Sequence, residues 1–448
     1  MATTLLPKAS LRTEVSLAAI FALPSFAVVI AFCLRVFLCL LTHRFENTGH
    51  GDLQIIGREA GFVAWSLASG KGFAYPFPGY DAATAWLAPV FPALWSIGFR
   101  IFPSNATSGG VYFCQMMNLA FSAFTCWPIF WLGKRLFGLR VGLAASWAWV
   151  FLPFAILFPL EWAWDQSLSA LMLAILLCAT YKMCEAPAES KAWAGYGLLW
   201  GFVALVNPTI CGLLPFLLAW LMFCRSRPGV QWLQPLPKFF LFLLLPILPW
   251  TARNYFVLDG FVAVKSNFGL ELWLGNNPAV TDGVYSPQWH PMNRFSEDMQ
   301  LVLSGEAGYM RDKQRAAIAF IRANPRRFVL LLGRRLADTW AAIYDSREDK
   351  WITVLHLRMA EIYFCVAFSV LAASGLILAL RENALEVLPL ALCVAIYPIP
   401  FYLTHTSLRY RHPIDPVLTL FAVFAGAQIC SAFASRLVRT PDTEMQIP

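Results

Sequence analysis

The sequence predicts an all-α polytopic membrane protein with about ten transmembrane helices and both termini in the cytoplasm. Three observations carry that prediction. Of 448 residues, 58% are hydrophobic and 13% charged, with mean hydropathy +0.59, whereas soluble domains hold about 45–50% apolar and about 25% charged residues. The apolar residues collect in runs of about 18 to 25, long enough to cross about 30 Å of hydrocarbon. Finally, the Lys and Arg behind a net charge of +8 fall at the ends of those runs and in one long loop. That is the pattern of positive-inside anchoring and of contact with membrane lipid; with no basic tail or arginine-rich block, it speaks against nucleic acid as a partner. The 11 Cys all lie in or beside apolar runs, without a disulfide framework or a metal-ligand spacing, and read as small hydrophobes.

The elements follow in order. The first span, about Val15 to Leu41, starts in the cytoplasm because Lys8 and Arg12 precede it, and its length suits an uncleaved anchor better than a removable signal peptide. Residues 44–108 form the first outer loop, built around a polar island from Asn47 to Ala85. The run Thr84 to Phe102 carries Pro89 and Pro92 and reads as a juxtamembrane helix in the interface, the alternative being a true span. Gly109 to Leu132 ends at the basic turn Lys134, Arg135 and Arg140, which belongs inside. Val141 to Leu160 then returns outward to the mouth Glu161–Asp165, and Gln166 to Tyr181 descends to Lys182 and Lys191.

Gly195 to Phe223 is broken at Asn207-Pro208 and reads as a hairpin of two short helices, and Phe239 to Trp250 ascends again. Residues 252–353 form an extracytoplasmic segment of mixed α/β character. Its expected pieces are short β-like stretches at Phe261–Val264 and Leu270–Leu274, a turn at Gly275–Pro278, an amphipathic helix over Glu306–Arg322, and an interfacial apolar run over Arg326–Tyr344. Leu355 to Leu380 and Val387 to Phe401 make a down-and-up pair around Arg381, and the outer loop His405–Pro413 precedes the last descent, Val417 to Phe433. The chain thus divides into an N-terminal transmembrane module (1–251), the outer segment (252–353), C-terminal transmembrane helices (354–439) and a cytoplasmic tail (440–448).

This topology gathers the charged loops on one side. The island with Asp52 and Glu59, the mouth with Asp165, Arg253 and the loop with Arg409 and Arg411 all face outward. A carboxylate can take a proton from an incoming hydroxyl, more effectively when burial raises its pKa. An arginine can hold a phosphate through paired hydrogen bonds and stabilise charge on a leaving group. A base and a phosphate clamp beside lipid describe a transferase with a lipid-phosphate donor.

Four stretches carry a family resemblance: EAGFVAWSLASGKGFAYPF with TAWLAPVFPAL, DQSLSAL, PWTARNY leading to SNFGLELWLGNNP, and RYRHPIDP. In this order they resemble the GT-C membrane glycosyltransferases, in particular the bacterial protein O-mannosyltransferase and lipid A aminoarabinose transferase groups. The resemblance implies a GT-C bundle in the inner (plasma) membrane. It also implies inverting transfer of a sugar from a polyprenyl-phosphate donor to a hydroxyl of an acceptor glycan, lipid or protein outside the cytoplasm. Glu59 falls at the position of the family's first-loop acid and Asp165 at its second outer acid. Two departures stand out: the family's adjacent Asp-Glu pair is absent, and its lysine before the Pro-rich helix is Ala88 here.

The candidate residues each carry a plainer alternative. Glu59 is the leading base, against pairing with Arg58 or solvation at a helix start, and Asp52 is its rival. Asp165 positions a reacting group or caps a helix N-terminus. Arg253, Arg409 and Arg411 are donor-phosphate ligands or headgroup anchors, and Arg58 either holds phosphate or lowers the pKa of the adjacent Glu59. Trp86, Trp162, Trp164 and Tyr410 line a substrate groove or belong to interfacial belts. No histidine spacing suggests a metal, and no cofactor is expected. The competing functions are a transporter or flippase of lipid-linked glycans, for which the broken helix at Asn207-Pro208 speaks, and an inactive GT-C subunit that binds lipid-glycan.

Overall fold

The computed structural model describes residues 23–42, 58–102, 106–161, 163–184, 186, 191–225, 233–258, 260–280, 286–343 and 355–438. The described residues are helical apart from turns and loops, and their one β-pairing is an isolated bridge between Ala74 and Ala83. Among the described residues, six helices are long and apolar enough to cross a membrane, or seven if the Leu139–Phe151 and Pro153–Glu161 helices, bent by 42°, are one span. Of the other crossings expected from the charge pattern, one is the second arm of the Met359–Leu403 helix, and two fall on the shorter apolar helices Ala192–Val206 and Pro208–Cys224.

The bend in that pair has a local cause. Pro153 and Pro159 have no N–H to give to the carbonyls four residues before them, Trp149 and Ala155. Arg35, buried in the Pro24–Leu41 helix, fills both vacancies: Nη2 donates to Trp149 O at 3.1 Å and Nε to Ala155 O at 3.0 Å. Ser122 Oγ adds a 2.7 Å bond to Ala155 O and accepts from Arg35 Nε at 3.1 Å. Arg35 therefore ties its own helix to three others. Arg35→Met should lower stability by about 2–4 kcal/mol, since orphaned carbonyls are costly in lipid; the check is the unfolding midpoint in detergent, and an unchanged midpoint contradicts this role.

Several expected elements have a different shape in three dimensions. The juxtamembrane run is helical over Val90–Ile101, and the Ala192–Val206 helix stops at Asn207, whose side chain accepts from Thr209 N before a 3₁₀ segment begins. The stretch expected as β-like at Leu270–Leu274 is instead the helix Phe268–Gly275. Leu270, Leu272 and Leu274 are all buried, so apolar alternation that imitates a strand comes from a short helix covered on two sides. One cover is the Phe295–Ala323 helix, kinked at Gly305, and the other is the backbone at Thr404, which Gly275 approaches so closely that a Cβ would overlap the Thr404 carbonyl. Phe261–Val264 is irregular, tied down by Trp250 Nε1 to Val264 O at 2.8 Å and Asn254 Nδ2 to Val262 O at 3.1 Å. The run expected to be interfacial from Arg326 is the helix Pro325–Ala341.

The Leu355–Ile396 helix breaks at Asn383, where the backbone leaves helical geometry (φ −153°, ψ 80°). Its two arms fold back to one end of the bundle: Cys365 lies 3.3 Å from Arg411 Nη1, while Phe401, just beyond the second arm, stacks on Tyr410 at 4.9 Å. The break itself lies at the opposite end, where Arg135, Glu382, Asn383 and Glu386 line a small cleft. Arg135 also sits 5.4 Å over the Tyr181 ring and Lys182 5.5 Å over Trp131. The short basic turns therefore share one end of the bundle.

Two large hydrophobic cores result among the described residues, beside smaller clusters. One fills the helix bundle, with Trp149, Trp193, Trp200 and Tyr397 at its centre. The other joins Phe77, Trp86 and Trp95 of the first loop to Leu270, Leu274 and Tyr309 of the 252–353 segment. Burial of such aromatics welds two loops distant in sequence into one layer.

Candidate active site

Where that layer meets the bundle lies a cavity of about 640 Å³. Its wall is built from element ends: the start of Arg58–Ala68, the N-terminus of Gln166–Met183, the break at Asn207-Pro208, and the turn before the last long helix. Helix ends suit a polar site because their backbone groups are not all used within the helix.

Glu59 stands in the first turn of its helix, where an acid is favoured by the helix dipole. It is 7% exposed and lies in the cavity wall, with Oε1 3.5 Å from His290 Nε2. The Met292 N–H donates to His290 Nδ1 at 3.2 Å. The network therefore assigns the proton of the neutral ring to Nε2, facing the carboxylate. The His290 ring packs edge-on to Trp86 at 5.5 Å and Phe77 at 5.9 Å, which fixes its orientation.

Asp165 precedes the Gln166–Met183 helix without capping it through its side chain. Its Oδ2 instead accepts from Ser169 Oγ at 3.1 Å, and Ser169 Oγ accepts from Asn207 Nδ2 at 3.2 Å. Burial pushes the Asp165 carboxyl above its usual range, and the charges of Lys265 and Arg409 oppose that rise. Arg409 is buried between aromatic faces, 5.0 Å over Trp164 and 5.0 Å over Tyr410, and donates to Tyr410 Oη at 3.2 Å. Tyr410 Oη lies 3.3 Å from His405 Nε2, and His405 Nδ1 lies 3.5 Å from Glu271 Oε2. Burial and the charge of Arg409 hold His405 well below its ordinary pKa. Glu271 is steadied by Asn267 Nδ2, 2.7 Å from Oε1.

The cavity thus gathers Glu59, Asp165, Arg409, Trp86, Trp164 and Tyr410 from the residues singled out in the sequence, together with Ala88. Asp52 and Trp162 lie outside the described residues, and for Arg58 only the backbone, at the helix start, is described. Arg253 and Arg411 do not line it. Arg253 donates to Thr84 O at 2.6 Å and Phe73 O at 2.7 Å and packs over Trp250 at 5.0 Å, fastening the first loop to the Leu236–Val257 helix. Buried Glu306 completes that joint, accepting from the Ala85 N–H at 2.9 Å. Arg411 is 1% exposed, pairs with Asp415 at 3.0 Å and donates to Thr339 O at 3.1 Å.

Lys265, Glu271, His290 and His405 also line the cavity. No spacing in the sequence singles them out: Lys265, His290 and His405 stand in loops, and Glu271 sits inside a run read as a strand. Among the described residues no group of three or more His, Cys, Asp or Glu could hold a metal ion.

By sequence, no protein-family model and no curated protein matches the chain. By structure, it is similar to the oligosaccharyltransferase of Archaeoglobus fulgidus. One such structure, with an inhibitory peptide and a dolichol-phosphate, aligns at TM-score 0.52 and 14% identity over 95% of this chain and 52% of that one. A second, tethered to an acceptor peptide, aligns at TM-score 0.52 and 13% identity over 93% and 51%. The ArnT protein of Cupriavidus metallidurans, bound to undecaprenyl phosphate, aligns at TM-score 0.40 and 14% identity over 96% of this chain and 82% of that one. The chain spans about half the length of the oligosaccharyltransferase it matches. What is shared with the oligosaccharyltransferase is the fold.

Proposed function

We propose that the chain is a multi-pass membrane glycosyltransferase of the GT-C type. In this reading it moves a sugar from a polyprenyl-phosphate donor to an acceptor hydroxyl at the outer face of the inner membrane. The observation that carries the reading is the pairing of carboxylates (Glu59, Asp165) with cations (Arg409, Lys265) and indole faces (Trp86, Trp164) in one cavity of such a fold. The dolichol-phosphate held by the archaeal oligosaccharyltransferase supports a lipid-phosphate donor.

The proposed step is a single displacement. Glu59 takes the acceptor O–H proton, the acceptor oxygen bonds to the anomeric carbon, and the bond from that carbon to the phosphate oxygen breaks with its electron pair on the phosphate. Attack from the face opposite the departing phosphate inverts the anomeric centre. His290 Nε2–H orients the Glu59 carboxylate, Arg409 receives the developing phosphate charge, and Asp165 holds the acceptor near the base. The outer-face assignment rests on the basic turns at Arg135 and Lys182, which gather at the end of the bundle away from the cavity and belong in the cytoplasm.

Two measurements test the reading. Membranes carrying the chain and supplied with polyprenyl-phosphate sugars should transfer label to an acceptor; failure with every donor, while lipid-phosphate is still bound, would favour the binding subunit. Reporter fusions should read cytoplasmic at Phe137 and external at Gln300, and a cytoplasmic signal at Gln300 breaks the topology.

A further inference from the structure

The helix Phe268–Gly275 carries no residue of the proposed chemical step, yet one of its faces lines the cavity. Asn267 and Phe268 precede Glu271 by four and three residues, so a single side of the helix presents an amide, a ring and a carboxylate. Asn267 occupies the N-cap position, where an asparagine side chain ordinarily accepts from the first backbone N–H groups of the helix. Here it makes no capping bond and turns Nδ2 to Glu271 Oε1 at 2.7 Å. Glu271 Oε2 lies 3.5 Å from His405 Nδ1, so the carboxylate is oriented at both oxygens while its side chain stays 30% exposed. The Phe268 ring beside it is also exposed. Close backbone packing sets this face at both ends: a Cβ at Gly269 would overlap the Met310 carbonyl, as one at Gly275 would overlap that of Thr404. The helix is thus wedged between two chain segments with its polar side toward the cavity.

We infer that this face reads the transferred sugar, with Glu271 and Asn267 as specificity-determining residues for two neighbouring hydroxyls of a neutral ring. The inference rests on the proposed donor class. A carboxylate only accepts hydrogen bonds, so its partner must bring O–H or N–H groups, and it repels phosphate. The order of groups along the wall says which part of the donor lies here. Arg409 Nη2 donates to Tyr410 Oη at 3.2 Å, Tyr410 Oη is 3.3 Å from His405 Nε2, and His405 adjoins Glu271. Glu271 therefore stands two side chains beyond the guanidinium assigned to the phosphate. That phosphate carries a sugar and a polyprenyl chain, and only the sugar can lie against a carboxylate without burying the charge in hydrocarbon. The Phe268 ring gives the sugar an apolar floor while the polar pair fixes its orientation. Lys265 and Arg409 both act on His405 beside Glu271, so an ammonium-bearing sugar would meet two like charges. A uronic acid is disfavoured by the charge of Glu271 itself, and a sugar acylated at those hydroxyls has no proton to give.

The test is a binding series on the full-length chain in detergent. Its probes are undecaprenyl phosphate alone, its glucose, mannose and galactose esters, and single-deoxy forms of the tightest binder. In the wild type, removal of either of two adjacent hydroxyls should weaken binding by about tenfold or more. Glu271→Ala should bind the parent donor about tenfold or more weakly and lose nothing further with those two deoxy forms, a loss of discrimination that a merely structural role does not produce. Its affinity for undecaprenyl phosphate alone should stay within about twofold of wild type. Glu271→Gln, which keeps the size of the side chain, should show the same loss of discrimination and stands in for the alanine variant if that one does not fold. Asn267→Ala, which releases one carboxylate oxygen, should soften the same discrimination. Undiminished discrimination in both Glu271 variants overturns the sugar assignment and leaves the glycosyltransferase reading standing. An equal loss for undecaprenyl phosphate alone overturns it too, making Glu271 a support of the phosphate side. Equal wild-type affinity for undecaprenyl phosphate with and without a sugar has the same consequence. A wild type that binds none of these lipids removes the donor class, and the inference with it.

Discussion

Glu59→Gln abolishes glycan transfer while leaving the protein folded and able to bind lipid phosphate: this is the largest expected effect on chemistry. The amide fills the space of the carboxylate, so packing against the aromatic wall and the contact with His290 are kept while the proton acceptor is lost. General-base catalysis contributes about 10²–10⁴-fold, so turnover should fall by about that factor, with the affinity for undecaprenyl phosphate unchanged. Transfer in membranes at saturating donor is the measurement. Turnover within about tenfold of wild type would move the base elsewhere, first to Asp165. The pH profile then separates the two. A base must be deprotonated, so activity falls as the pH drops through its pKa. Because burial raises the Asp165 carboxyl, an Asp165-dependent reaction would lose rate on the acid side at a higher pH than an ordinary carboxylate allows, and Asp165→Asn would remove that limb.

How far the sequence reached depends on which property of a residue was asked for. Apolar runs and the placement of Lys and Arg are properties of composition along the chain, and they led to a helical membrane bundle with its basic turns at one end. Glu59, Asp165, Trp164 and Arg409 stand in loops beside helix ends, and the fold brings those ends to one cavity. Direction is a different property. Arg253 and Arg411 carry the same charge as Arg409, but nothing in one dimension says that Arg253 turns toward the carbonyls of Phe73 and Thr84. Nor does it say that Arg411 turns inward to Asp415. The Phe268–Gly275 helix was hidden for a related reason: covered on two sides, it shows no amphipathic period, and its buried leucines alternate as a strand would. With that helix misread, Glu271 had no face to lie on, and Lys265 and His290 come to the cavity only through the packing of the 252–353 segment on the first loop.

Arg409 and Arg411, two residues apart in one short helix, should fail in opposite ways when truncated, and the contrast separates chemistry from architecture. Arg409 faces the cavity and is held by the rings of Trp164 and Tyr410. Arg409→Ala removes a donor aimed at the departing phosphate, a type of interaction worth about 10²–10³ in turnover; transfer should drop by that factor with expression and unfolding midpoint near wild type. Arg409→Lys restores charge but not the planar fork, and should recover only part. Arg411 instead faces away, its Nε 3.0 Å from Asp415 Oδ1 and its Nη1 3.1 Å from Thr339 O, with the Phe154 ring 5.3 Å from the guanidinium. Arg411→Ala leaves Asp415 with, among the described residues, His412, 3.1 Å away, to offset a buried carboxylate. Breaking such a pair costs about 3–5 kcal/mol, so this variant should be lost at the level of folded protein, with activity per folded molecule retained. If instead Arg411→Ala expresses normally and is inactive, the phosphate clamp runs through Arg411 and the cavity is not the reacting centre.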